Sequence, residues 1–350
     1  MTTLTETAFF SRRFIRWGII GFIGFIILRI LFFMALDAYR RAFPPPLLVP
    51  NNALGKLPKI NFPQSASPSG QLTYSLRTIE GVVPDASEAA IVYFMPKQRS
   101  NLLSLSRAQE FVNRLGFTTT PRQVSDAVYR WIDLRNPLRT IEMDVVNNHF
   151  ELKYNFGFDL SLFAARRVSS PLQAGGEILA FFQKLGISSP DLDTQNPQIT
   201  YLKLVGDKLE PTTSQSQADA VRVDIFRRGY FGLPMVTDTT QEANVVFIIS
   251  GAAETDKRII YAKIKHWTVD NQTIGIYKLK SATTAYNELI AGQAYYARLP
   301  NETAIAITNV RLAYYDSVSP QLFMQPVFVF EGEPGFTAYV PAVAPPWIEQ

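Results

Sequence analysis

The sequence predicts an α+β fold: an N-terminal transmembrane helix, then repeated units of one helix packed on antiparallel sheet. Three observations carry this. Residues 17–36, WGIIGFIGFIILRILFFMAL, form one apolar run. Three later segments have the 3.6-residue apolar period with capping residues at their ends. Between and after them lie stretches that alternate apolar and polar side chains, the period of half-buried strands.

Residues 1–16 are a short basic tail holding Arg12, Arg13 and Arg16. The run 17–36 follows. At about 1.5 Å per residue its length matches a hydrocarbon core of about 30 Å. Its Leu, Ile and Phe, at roughly −0.3 to −0.6 kcal/mol each, outweigh the roughly +2.5 to +3.5 kcal/mol of Arg29. It ends at Asp37, Tyr39, Arg40 and Arg41 without a small-residue cleavage pattern, so it reads as an anchor that stays. The basic residues ahead of it outnumber those behind, which predicts a cytoplasmic N-terminus and an extracytoplasmic C-terminal region. Gly18, Gly21, Phe25 and Arg29 fall within about 100° of one another on the helix, a face suited to a partner helix.

Residues 37–70 carry Pro44, Pro45, Pro46, Pro50, Pro58, Pro63 and Pro68 and read as an extended tether. A first α+β domain is predicted over 71–168, a second over 169–345, and a tail over 346–350. The first domain's helix takes Ser106 as N-cap with Gln109 closing the box, turns Ala108, Phe111, Val112 and Leu115 inward, and stops at Gly116. A hairpin then spans 140–156, with Asn147 and Asn148 in the turn. Pairing Val146 with His149 sets Ile141, Met143 and Val145 against Tyr154, Leu152 and Phe150.

The ARRVSSP break near residues 165–170 marks the domain boundary. The second helix starts at Ser170, with Pro171 in the first turn and Gln173 closing the box. It turns Ile178, Phe181, Phe182 and Leu185 inward and stops at Gly186. Gly175 and Gly176 within it suggest close packing. The polar run 210–220 reads as an exposed loop. A third, shorter helix runs from Ser281 to Gly292 with Ala282, Ala285, Tyr286, Leu289 and Ile290 inward. Strands are predicted at VRVDIF, NVVFIIS, RIIYAKIKHW, AIAITNVRLAYY, QPVFVF and FTAYV.

The chemistry is sparse. A charge of +4 from 34 basic and 30 acidic residues spread along the chain excludes the clustered footprint of a nucleic-acid binder. With 0 cysteines there is no disulfide, thiolate metal site or Cys nucleophile. Neither histidine has catalytic or metal-ligand spacing. His149, beside Asp144 and Glu151, reads as part of a solvated face, with a weak divalent site as the alternative. His266 reads as a hydrogen-bonded strand-end residue. Glu142 with Asp144 reads as the wet side of the hairpin rather than a carboxylate pair for acid–base work. No catalytic residue, metal site or cofactor is expected. The aromatic residues crowding the last third, from Tyr295 to Trp347, read mostly as sheet core, with a minority available for a protein-binding patch.

From about Gln198 to Val343 the succession VRVDIFRRGYFGLPMV, RIIYAKIKHWTVD, IYKLKSATTAYNELIAG, ITNVRLAYYDS, FMQPVFVFEGE and FTAYVPAV resembles the YycH/YycI-type regulatory proteins, whose units are related to PepSY-like modules. The likeness includes a strand entering a Gly-x-Pro turn (Arg227 to Pro234), a helix after a Tyr-x-Leu strand, and the final hairpin. It implies a non-enzymatic, single-pass accessory protein with an extracytoplasmic domain that binds and regulates a membrane protein, a sensor histidine kinase in the best-known members. Arg29 and the Pro-rich stretch do not match that family. The alternative expectation is a structural or assembly component of a cell-envelope complex, anchored in the same way. Neither expectation includes nucleic acid or a small-molecule substrate.

Overall fold

Alternate residues from Arg139 to Asp144 and from Phe150 to Tyr154 are buried, the period of strands with one face on a core. In the computed structural model, which describes residues 17, 18, 20–36, 48–64, 68, 70–84, 86–159, 161–164 and 168–349, they are β5 (Arg139–Asp144) and β6 (His149–Tyr154). The predicted faces hold, but the register differs by two residues: Met143 pairs with Phe150, Ile141 with Leu152 and Arg139 with Tyr154. The Asp144 carboxylate accepts the backbone N–H of Val146 (2.9 Å) and Asn147 (3.1 Å), which holds Val145 to Asn148 in the turn. Because side chains alternate with period two, a shift of two leaves every residue on its predicted face.

β5 and β6 belong to a nine-stranded sheet ordered β3-β4-β5-β6-β12-β11-β9-β7-β8. Its other members are β3 (Arg122–Gln123), β4 (Val128–Ile132), β7 (Gln198–Val205), β8 (Lys208–Thr212), β9 (Ala220–Ile225), β11 (Val245–Ser250) and β12 (Ile259–Ile264). Two helices, α2 (Ser104–Asn113) and α3 (Pro171–Leu185), supply Ala108, Val112, Ile178, Phe181 and Phe182 to the core on one face, against Trp131, Ile141, Leu152, Val223 and Phe247. The pairing of β6 with β12 crosses the boundary drawn at 168/169, so both predicted domains contribute to one sheet. Strand pairing joins segments far apart in the chain, and local composition carries no trace of it.

The α3 ends match expectation: the Ser170 side chain and the Gln173 backbone, and their reciprocals, complete a capping box, Pro171 follows, and Gly186 closes the helix at φ 70°. α2 begins two residues before the predicted cap. Gln109 does not close a box, because its Oε1 accepts from the indole N–H of the fully buried Trp131 at 2.8 Å. A Cβ at Gly175 or Gly176 would meet nothing within 4 Å, so neither serves close packing. Glu210 to Thr212, predicted as loop, belong to β8, which pairs with β7.

The second layer is a six-stranded sheet ordered β1-β15-β17-β18-β14, with β10 also pairing with β15. These are β1 (Thr73–Leu76), β10 (Met235–Val236), β14 (Tyr295–Arg298), β15 (Ala304–Tyr315), β17 (Pro326–Glu333) and β18 (Phe336–Pro341). A three-stranded sheet of β13 (Asp270–Lys278), β2 (Ala89–Phe94) and β16 (Phe323–Met324) shares its core, as does α5 (Ala282–Ile290). α5 buries Ala282, Ala285 and Leu289 as expected, while Ile290, predicted inward, is exposed. One further short helix, α4 (Thr255–Arg258), precedes β12.

The predicted tether divides. Residues 37–47 lie outside the described residues, as do Arg12, Arg13, Arg16, Arg40 and Arg41. The stretch from Pro50 is part of the body: Leu57 is 0% exposed, its N–H donates to the Trp347 carbonyl at 2.8 Å, and its carbonyl accepts from Glu349. Phe62 stacks on Tyr295 with ring centroids 4.8 Å apart. Residues 346–349, predicted as a free tail, therefore pair with this segment. Proline blocks helices but leaves an extended chain free to pack through its other side chains.

Two compact units result, Met1–Val49 and Pro50–Gln350. In the first, residues 17, 18 and 20–36 are helical (α1). Residues 20–36 run about 25 Å at about 1.5 Å per residue, and among the described residues no helix is long and apolar enough to cross a membrane.

Candidate functional site

On α1, Gly18 and Gly21 leave open space, since a Cβ at either would meet nothing within 4 Å. Phe25 is 60% exposed, and the Arg29 guanidinium lies 5.8 Å from the Phe33 ring centroid, one turn further on. The apolar side chains are exposed around the whole circumference, with Trp17, Ile20, Phe22, Leu28, Leu31 and Met34 each more than half exposed. A helix apolar on every side needs lipid or protein around it.

In the larger unit, the two histidines that sequence spacing set aside line one cavity of about 670 Å³. Its walls come from α2, the β5–β6 turn, the loop after α3 and the segment after β12, including Asp191, Tyr230, His149 and His266. Behind them sits Arg227, whose side chain is 0% exposed. It pairs with Asp191, lies 3.3 Å from Asp316, and donates to the Trp267 carbonyl at 2.6 Å and to His266 Nδ1 at 3.2 Å. A guanidinium only donates, so Nδ1 accepts and His266 Nε2 carries the hydrogen, 3.0 Å from Asp191 Oδ1. His149 Nε2 donates to the His266 carbonyl at 3.2 Å, and its ring meets Trp267 edge-on with centroids 4.3 Å apart. Arg227 thereby ties the end of β9 to the loop after α3, to the segment after β12 and to the end of β15. None of these partners is near it in sequence, and no local signal marks them.

Burial alone would raise Asp191, but its hydrogen bond with His266 and the Arg227 charge hold it down to about 2. Burial outweighs the His266 carbonyl and Asp144 and pushes His149 below the usual histidine range. The fold thus prefers neutral His149 and ionised Asp191. The His149 contribution is complete above about pH 6.5 and is lost as pH falls below that value; the Asp191 contribution is complete above about pH 4 and is lost as pH falls towards 2. Thermal unfolding should therefore show a midpoint that falls as pH drops below about 6.5, a slope that His149→Phe flattens. Identical slopes for the two proteins would contradict the assignment.

His149 is buried rather than solvated, and among the described residues no cluster of three or more His, Cys, Asp or Glu is placed to hold a metal ion. Glu142 pairs with Arg130 across β4 and β5, and Asp144 is spent on the turn. Of the aromatic residues in the last third, Tyr295, Tyr314, Tyr315, Phe323, Phe328, Phe330, Phe336 and Tyr339 are buried, while Tyr296 and Trp347 are half-buried, so they form core rather than an outer patch.

No protein-family model matches the chain, and no curated protein matches it. A solved structure, an uncharacterized protein from Eubacterium rectale, is similar at 12% identity over 73% of this chain and 82% of that one, with a TM-score of 0.36.

Proposed function

We propose that this chain is a non-enzymatic, membrane-anchored binding protein. In this reading α1 lies in the bilayer with a cytoplasmic N-terminus, and the unit from Pro50 onward is extracytoplasmic. Gly18, Gly21, Phe25 and Arg29 face the helix of a membrane protein that the chain regulates, of the sensor-kinase class. The observation that supports it is the all-round exposure of apolar side chains on α1, in a compact unit of its own. Residues 17–36 together are long enough to span the hydrocarbon core, and the YycH/YycI-type resemblance of the C-terminal half adds the regulatory role. Within the larger unit, Arg227 pairs with Asp191 and His266 bonds to both, as in a structural clasp.

Small residues permit close helix approach in lipid, and a polar group across such an interface contributes about 1–2 kcal/mol. Replacing Arg29 with Leu should therefore cut recovery of the crosslinked membrane partner about tenfold while the chain stays in the membrane fraction. Undiminished recovery would remove the partner face.

A further inference from the structure

A second cavity, of about 740 Å³, opens between the C-terminal ends of α2 and α3, the β4–β5 turn and α4; it shares only Arg114 with the histidine-lined cavity. Five cationic side chains line it, Arg114, Arg135, Arg139, Lys184 and Arg258, against three carboxylates, Asp133, Glu177 and Asp256. The carboxylates are already engaged. Asp133 accepts from Arg139 and from the Arg135 backbone, Glu177 takes the Arg258 fork and the Ser169 hydroxyl, and Asp256 accepts from Asn136. Two of the cations are not. Among the described residues, the side chains of Arg135 and Lys184 form neither an ion pair nor a hydrogen bond.

Two guanidiniums are held in place beside them. Arg114 Nη1 donates to the Leu185 carbonyl at 2.9 Å, and Arg139 Nη1 to the Leu115 carbonyl at 2.8 Å. The Arg139 side chain is 8% exposed, and among the described residues its Nε has no hydrogen-bond partner. Burial lowers Arg139 in spite of Asp133, and the guanidinium carbon lies 4.7 Å from the Phe117 ring centroid. Even with about half a negative charge allowed for each helix C-terminus, the wall stays positive. A concave wall of one sign focuses its field on whatever enters, and guanidinium forks fixed by backbone carbonyls are preorganised for oxyanions.

We infer that this cavity binds a small polyanion, a solute carrying phosphate groups or several carboxylates, with Arg135 and Lys184 as its free contacts and Arg114 and Arg139 as its fixed ones. Neither free contact supports the fold, so both can be neutralised without unfolding it. The test is calorimetric titration of the detergent-solubilised full chain with inorganic phosphate, pyrophosphate and citrate, with Arg135→Gln/Lys184→Gln beside it. A Lys203→Gln/Lys208→Gln variant, at the far edge of the nine-stranded sheet, is the control. Saturable binding of pyrophosphate or citrate is expected, at least about tenfold weaker in the first variant and unchanged in the control; the better probe tells phosphate from carboxylate. Binding that survives Arg135→Gln/Lys184→Gln, or no saturable binding of any of the three, would overturn the inference.

Discussion

Replacing Arg227 with Met is expected to destabilise the chain by about 3–5 kcal/mol, because it leaves charges in the interior without their counter-charge. Asp316 is 3% exposed at its side chain and Asp191 21%, and both face the guanidinium. Burial by itself would lower Arg227, and the two carboxylates outweigh it and raise it, so the cluster is held together by its charges. Against a total stability of about 5–15 kcal/mol, that loss is large. Urea unfolding should show it as a lower midpoint, and adding Asp316→Asn to Arg227→Met should recover part, since the second change removes the orphaned charge. A loss below about 1 kcal/mol would mean that water reaches the cluster and the clasp is not buried.

Deleting residues 1–49 is expected to move the chain from the membrane pellet to the soluble fraction. Large apolar side chains project from every side of α1, and each contributes roughly −0.3 to −0.6 kcal/mol on entering lipid. The unit that remains, Pro50–Gln350, is compact and buries its apolar residues in clusters of its own. The larger unit keeps some exposed apolar residues, among them Ile79, Leu102 and Leu103, as the surfaces of folded soluble proteins do. The truncated protein should fold and remain soluble without detergent.

What was legible in the sequence was local. α3 and α5 could be read because a Ser cap lies within three residues of the N–H it serves and a glycine with positive φ ends or follows each helix. The faces of β5 and β6 could be read from alternation and the turn from Asn148, which takes a φ of 58°, but the register could not, because the Asp144 carboxylate draws Val145 and Val146 into the turn as well. Proline content made residues 50–64 look like a spacer, while Leu57 and Phe62 pack into the body through partners near the C-terminus and in β14. The clasp was invisible for the same reason. Arg227 stands 36 residues from Asp191 and 39 from His266, and Asp191 stands 75 from His266.

Alkaline extraction of membranes bearing the full-length chain tests the central claim most directly. A chain whose N-terminal helix is embedded in hydrocarbon stays with the lipid pellet when high pH strips peripheral proteins. Its appearance in the alkaline supernatant, intact and without detergent, would contradict the account.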